Sequence, residues 1–283
     1  MSMHTDGSRL LAFARKPAPV QVTYLAYCGT TGLEAINCRL TDPHLDPIDF
    51  STPYYSEKSV HLPRTYWCYP APEESPPVGP LPALQRGFIT FGCLNSYYKV
   101  TPPTWSAWYE ILRATPRSRL ILHCPDGNHR QRIVERFVQA GLEAQRLQFV
   151  GRTLPAQYFA QYQKIDIALD PYPHGGGTTT CDALWMGVPV VSLAGEISVS
   201  RSGLSILSNV GLPELVARSP EEYVSIAGRL SGDLKRLGEL RTSLRQRMVK
   251  SPLTDGPQFA RDVEQAFRMM WEDSCSATFA ARS

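Results

Sequence analysis

The chain has 283 residues, 43% of them hydrophobic, with 29 basic against 26 acidic side chains and a formal net charge of +3. That length buries a substantial core in one large or two small domains, and the near-balanced charge excludes the strong basic field of a nucleic-acid-binding protein. No run approaches the roughly 18–20 apolar residues of a membrane span, and the opening MSMHTDGSRLL lacks a signal peptide's apolar core, so no membrane partner and a cytoplasmic location are expected.

Residues 1–69 hold a strand-like run over 20–27, a Gly-Thr-Thr-Gly turn at 29–32, and a polar stretch carrying Asp42, Asp46 and Asp49. They are followed at 70–87 by a segment with Pro70, Pro72, Pro76, Pro77, Pro80 and Pro82. That composition favours extended polyproline conformation and predicts a linker at a domain boundary. From 88 to 275 the pattern alternates. Strands are predicted over 88–93, 119–123, 147–150, 165–169 and 188–193, with helices over 102–115, 129–140, 155–163 and 181–186 between them. Helices over 200–210, 219–231, 233–250 and 257–271 complete the domain, and 276–283 reads as a tail. Repeated β–α–β units imply an α/β fold, a Rossmann-like parallel sheet with helices on both faces. Ligands of such sheets bind at the carboxyl ends of the strands, which places 95–99, 151–158 and 175–182 on one rim.

The most informative stretch is IDIALDPYPHGGGTTTCDALWMGVPVVSL (165–193). A strand ends at Asp170, a loop of Pro and Gly follows through Gly175, Gly176 and Gly177, and Thr178, Thr179 and Thr180 lead into a helix. A helix start carries unpaired N–H groups and partial positive charge, and glycines let that backbone approach a phosphate closely. Asp182, one turn after Thr178, is placed to accept from a sugar hydroxyl. The local pattern fits either a diphosphate-sugar site or an ordinary βα turn with a Thr cap. On the second loop, FGCLNSYYKV (91–100), Lys99 lies just beyond a strand end, where an ammonium reaches a diphosphate or simply faces solvent. There is no DxD-like carboxylate pair at a strand end to hold a metal. The seven cysteines are odd in number and include no CxxC pair, which predicts reduced thiols rather than disulfides or a zinc site.

These residues carry a resemblance to the O-GlcNAc transferase/SPINDLY family, two-lobed GT-B glycosyltransferases. The matching stretches are RKPAPVQVTYLAYCGTTGL (15–33), YYSEKSVHLPRTYWCY (54–69), FGCLNSYYKVTP (91–102), GRTLPAQYFAQYQKIDIALDPYPHGGGTTTCDALWMGVPVVSLAGE (151–196), SRSGLSILSNVGLPELVA (200–217) and MMWEDSC (269–275). The resemblance implies the C-terminal, donor-binding lobe over 88–275, plus a fragment of the N-terminal lobe over 1–69. It implies an inverting, metal-independent transfer of N-acetylglucosamine from UDP-GlcNAc to Ser/Thr hydroxyls of a protein acceptor, with no cofactor.

Carried over by position, Lys99 would stabilise the leaving UDP, and Thr178 and Thr179, with Gly176 and Gly177 before them, would hold phosphate oxygens. Asp182 would accept from the ribose, Tyr158 would lie against uracil read by backbone near Leu154 and Ala156, and Asn95 and Ser96 would line the pocket near the sugar. The chain departs from the family at Gly177, where many relatives have His, at Gln161, where some have Arg, and at Cys28, Asn37 and Cys38. His174 would partly replace the missing imidazole or stand in solvent. The resemblance implies that the chain opens within the end of the N-terminal lobe, without tetratricopeptide repeats or that lobe's histidine, so the donor wall is expected to be better represented than the acceptor wall. A non-catalytic UDP-sugar-binding module and a nucleotide-sugar epimerase are the competing expectations.

Overall fold

The computed structural model describes residues 8–25, 27–48 and 54–280. Ala26 in the expected first strand and Asp49 in the polar stretch lie outside the described residues. Strands β1 (Val22–Thr23), β2 (Cys38–Thr41) and β3 (Lys58–His61) form a three-stranded parallel sheet. Strands β4 (Thr90–Cys93), β5 (Arg119–His123), β6 (Leu147–Val150), β7 (Ile167–Leu169), β8 (Val190–Leu193) and β9 (Val216–Ala217) form a second parallel sheet. Its order is β6-β5-β4-β7-β8-β9. All residues of β4 and β7 are buried, as strands covered by helices on both faces must be.

The helices are α1 (Leu10–Ala14), α2 (Pro82–Arg86), α3 (Pro102–Ala114), α4 (Asn128–Gln139), α5 (Pro155–Gln161), α6 (Thr178–Trp185), α7 (Ser202–Asn209), α8 (Pro220–Gly232), α9 (Leu234–Lys250) and α10 (Gly256–Ala280). Helix α3 starts as its sequence dictates: Thr101 caps it by accepting from the Thr104 N–H, Pro102 supplies the first turn, and Trp105, Trp108, Ile111 and Leu112 form its buried stripe. Helix α10 lays Phe259, Val263, Ala266 and Met270 on the small sheet, against Cys38, Leu40, Val60 and Leu62. It therefore runs through most of the segment expected to be a tail.

Two other expectations differ in detail. The strand expected over 20–27 is reduced to β1 because Leu25 takes φ 74°, outside the β region, and its N–H donates to the Tyr66 hydroxyl at 2.7 Å. Helix α6 begins at Thr178 rather than 181. The proline-rich segment is held along the large domain. Ser75 Oγ accepts from Trp185 Nε1 at 2.8 Å, and the carbonyls of Pro76 and Gly79 accept from Arg245 and Arg241 at 2.8 and 3.1 Å.

The two sheets are joined through Asp42, at the carboxyl end of β2. Its fully buried carboxylate accepts from the N–H groups of His44, Leu45 and Tyr66 at 2.8–2.9 Å, and from the Ser205 hydroxyl on α7 at 2.5 Å. Removing it leaves several buried donors unpaired, at roughly 1–3 kcal/mol each. Asp42→Ala is therefore expected to destabilise the chain by about 3 kcal/mol or more, read from urea denaturation. A midpoint within error of the parent would contradict this role.

Candidate functional site

Strands β4 and β7 are neighbours although two β–α units separate them in sequence, so the chain direction across the sheet reverses between them. That reversal opens a crevice at their carboxyl ends, where open α/β sheets take their ligands. Strand β4 leads into Asn95 and a short 3₁₀ turn, Tyr97–Lys99; β7 leads into Asp170 and the glycine loop. The fully buried Asp170 side chain gathers this crevice. It accepts from Thr180 Oγ1 at 3.1 and 3.2 Å, from Asn95 Nδ2 at 3.4 Å, and from the Gly176 N–H and Ser192 hydroxyl. Burial raises its pKa, and the Thr180 hydrogen bond, the Lys99 charge and the Ser192 and Gly176 hydrogen bonds offset that rise only in part. A Cβ at Gly176 would collide with the Thr180 and Thr179 hydroxyls and sit 3.0 Å from Asp170 Oδ1, so only glycine lets the loop close on the carboxylate.

Above this knot lies a cavity of about 250 Å³ lined by Lys99, His174, Gly175, Gly177, Thr178 and Ser202, with Tyr27, Cys28, Leu25 and Trp67 on its far side. Lys99 Nζ donates to the Gly175 carbonyl at 2.9 Å, which leaves two of its three ammonium protons for a ligand. Burial lowers the Lys99 pKa, opposed by Asp170. Thr178 is exposed at the start of α6. The Thr179 hydroxyl instead donates to Asn95 Oδ1 at 2.7 Å, so the group Thr179 has left for an anion is its backbone N–H. His174 is half-buried rather than solvated, its ring 5.9 Å from that of Tyr27, and burial and then Lys99 push its pKa down to about 4, which keeps it neutral at physiological pH.

A second, more apolar cavity of about 600 Å³ shares Leu25, Trp67 and Thr178 with the first. One wall is α5 with the turn before it: Arg152, Thr153, Pro155, Tyr158 and Phe159. Leu154 and Ala156 stand beside these residues, exposed to solvent. The facing wall is Trp67 through Pro72, and Asp182 lies between them. The Asp182 carboxylate is held at both oxygens. Tyr69 OH donates to Oδ1 at 2.6 Å and Tyr158 OH to Oδ2 at 2.8 Å. Burial raises the Asp182 pKa and the two phenols lower it. Tyr162 adds a third hydroxyl, 2.8 Å from that of Tyr158. Tyr158 gives its one proton to Asp182, so the single Tyr162 proton faces two acceptors, the Tyr158 oxygen and, at 3.1 Å, the Thr179 carbonyl.

The crevice thus brings together Asn95, Lys99, Gly176, Gly177, Thr178 and Thr179 around one cavity and its floor, and Tyr158 and Asp182 around the adjoining one. Ser96 is exposed and lines neither. Asp170, Trp67 and Tyr69 were not singled out from the sequence. For Asp170 a signal existed, a carboxylate ending an apolar strand before a glycine loop. Trp67 and Tyr69 precede a proline-rich segment about 110 residues before their partners, and no local pattern marks them.

A model of glycosyl transferase family 41 matches residues 1–70 and 82–263. A probable UDP-N-acetylglucosamine–peptide N-acetylglucosaminyltransferase SPINDLY of Petunia hybrida is 44% identical over 276 residues, covering 96% of this chain and 30% of its own length. The structure of an O-GlcNAc transferase mutant of Thermobaculum terrenum superposes with a TM-score of 0.87 at 39% identity, over 95% of this chain and 52% of that one. A sucrose-phosphate synthase of Thermosynechococcus elongatus, 15% identical, superposes with a TM-score of 0.57 over 85% of this chain and 60% of its own, which extends the likeness in fold alone. The chain spans about 30% of the length of the curated relative it matches. The large sheet with its helices is the Rossmann-like lobe of a GT-B fold.

The geometry accounts for the glycine at position 177. A Cβ there would lie 2.6 and 2.8 Å from Cζ3 and Cη2 of Trp67. The indole fills the space that a side chain at 177 would need. Gly177→Ala is expected to displace Trp67, costing about 1–3 kcal/mol by overpacking and changing the tryptophan emission. Trp67→Ala should remove most of that cost in the double variant. Additive losses in unfolding free energy would contradict the contact.

Proposed function

The chain belongs to glycosyl transferase family 41, and from that premise we propose that it forms the donor half of an enzyme that moves N-acetylglucosamine from UDP-GlcNAc to Ser/Thr hydroxyls of proteins, inverting and without a metal ion. The observation that carries this reading is the meeting of two unlike cavities at Thr178, one apolar and faced by Tyr158, the other bearing Lys99. Their polarity suits a nucleoside joined to a diphosphate-sugar. The uracil would lie between Tyr158 and the wall at Trp67 through Pro72, near the backbone of residues 152–156. Asp182 would accept from the ribose, and the diphosphate would cross Thr178 toward Lys99.

The acceptor hydroxyl would attack the anomeric carbon in line as its bond to the diphosphate oxygen breaks, the bonding electron pair departing with UDP and the hydroxyl proton being released to solvent. Negative charge then grows on the β-phosphate. Lys99 and the free N–H groups that open α6 are fixed in advance around that position, the arrangement that stabilises a transition state more than the bound substrate. This charge does the work that a metal does in other transferases. The unpaired cysteines support a cytoplasmic site of action.

UDP titration by calorimetry, paired with transfer of radiolabelled GlcNAc to protein, tests the reading. Binding with transfer is expected; binding without transfer would leave a donor-binding module, and release of an isomerised free hexosamine an epimerase. Lys99→Ala should lower transfer by about 10²-fold, the scale of losing one preorganised charge donor, and near-parental turnover would remove Lys99 from the mechanism. Asp182→Ala should weaken UDP binding by about 1–3 kcal/mol, and an unchanged dissociation constant would refute its ribose role.

A further inference from the structure

Tyr69 stands outside the sheet that builds the donor site, at the junction of the small-sheet segment with the proline-rich stretch, yet it lines the larger cavity and its hydroxyl reaches Asp182. Its position is rigid. The Tyr69 N–H donates to the Leu253 carbonyl at 2.7 Å, its ring lies 6.3 Å from that of Trp185, and the residue is 7% exposed. Burial, reinforced by the Asp182 charge, holds its phenol well above the usual range, so the hydroxyl is a permanent donor. That hydroxyl takes Oδ1 of Asp182 at 2.6 Å, while Tyr158 takes Oδ2.

An ionised carboxylate offers about four acceptor positions. Two are filled by phenols from opposite walls of the cavity, which stops the carboxylate from rotating. Two remain, one on each oxygen, and Asp182 is itself part of the cavity lining. Two fixed acceptors on one carboxylate match the two adjacent hydroxyls of a ribose ring. A carboxylate held at one oxygen only would swing about its remaining bond and lose that register.

We propose that Tyr69 is a positioning residue that makes the site selective for ribonucleoside over deoxyribonucleoside diphosphates by clamping Asp182 opposite Tyr158. The inference rests on the donor-site reading above and adds to it a residue from outside the sheet and a basis for sugar selectivity. Tyr69→Phe removes the hydrogen bond and keeps the ring against Trp185.

The test is calorimetric titration of the parent chain and of Tyr69→Phe with UDP, 2′-deoxy-UDP and 3′-deoxy-UDP, with circular dichroism to verify the fold of each variant. The parent should prefer UDP to both deoxy compounds. Tyr69→Phe should bind UDP about tenfold more weakly, the scale of one hydrogen bond to a charged group, while its affinity for the deoxy compounds changes less than twofold. In an Asp182→Ala background the same substitution should have no further effect on UDP. An equal loss for all three ligands, or a full additional loss in the Asp182→Ala background, would make Tyr69 a structural residue and overturn the proposal. Undiminished preference for UDP in Tyr69→Phe would overturn it as well. A parent that binds UDP without preferring it sinks the selectivity claim alone, and a parent that binds no UDP sinks the donor-site reading together with it.

Discussion

Everything at the carboxyl edge of the large sheet is arranged around one buried carboxylate, Asp170, whose charge has to be answered inside the protein. Taking a carboxylate out of water costs several kcal/mol unless hydrogen bonds replace the lost hydration. The donors come from four separate places: Asn95 after β4, Gly176 in the loop, Thr180 in α6 and Ser192 in β8. The backbone carbonyl of Asp170 is engaged too, accepting from Tyr223 OH at 2.9 Å, and that hydroxyl in turn accepts from Trp108 Nε1 at 3.1 Å. Satisfying one residue thereby fixes the glycine loop, the start of α6 and the end of β4 relative to one another.

Asp182, in α6, faces the same electrostatic problem and solves it differently. The Asp170 side chain is served by donors of the surrounding loop, helix and strands, whereas Asp182 has a phenol at each oxygen and a face on a cavity. Burial raises the pKa of both. One carboxylate is spent on shaping the loop, and the other keeps acceptor capacity for a ligand. The hydroxyls of the α6 start divide in the same way. Thr179 and Thr180 are tied to Asn95 and Asp170, and Thr178 stays exposed between the two cavities.

Much of the large sheet was legible because parallel strands buried on both faces must be continuous apolar runs and their helices must carry apolar stripes. The runs that became β4, β5, β7 and β8 meet the first condition, and Trp105, Trp108, Ile111 and Leu112 meet the second. Of the small sheet only the run that contains β1 was legible. Strand β2 reads Cys-Arg-Leu-Thr and β3 reads Lys-Ser-Val-His, and the buried Arg39 of β2 is held by its ion pair with Asp46, by the Cys28 carbonyl and by the Tyr55 ring, partners that no local pattern reveals. Strand β9 is two residues long, too short to impose a period on the sequence. The start of α6 was read three residues late because a threonine triplet suggests caps and turns more than helix interior.

The sequence by itself determined the chemistry at the rim: a glycine loop able to approach a phosphate, a lysine beyond a neighbouring strand, and an aspartate one turn into a helix. Those are local properties, since backbone freedom, charge and helical spacing are written into a few consecutive residues. Only the tertiary structure decided what each group is free to do. It committed the Thr179 hydroxyl to Asn95, gave Lys99 a carbonyl partner, set Trp67 against Gly177, and brought Tyr69 from across the chain to Asp182. Hydrogen-bond capacity is finite and each hydroxyl has one proton, so the availability of Asp182 depends on a neighbour 113 residues away, which no local pattern in the chain can specify.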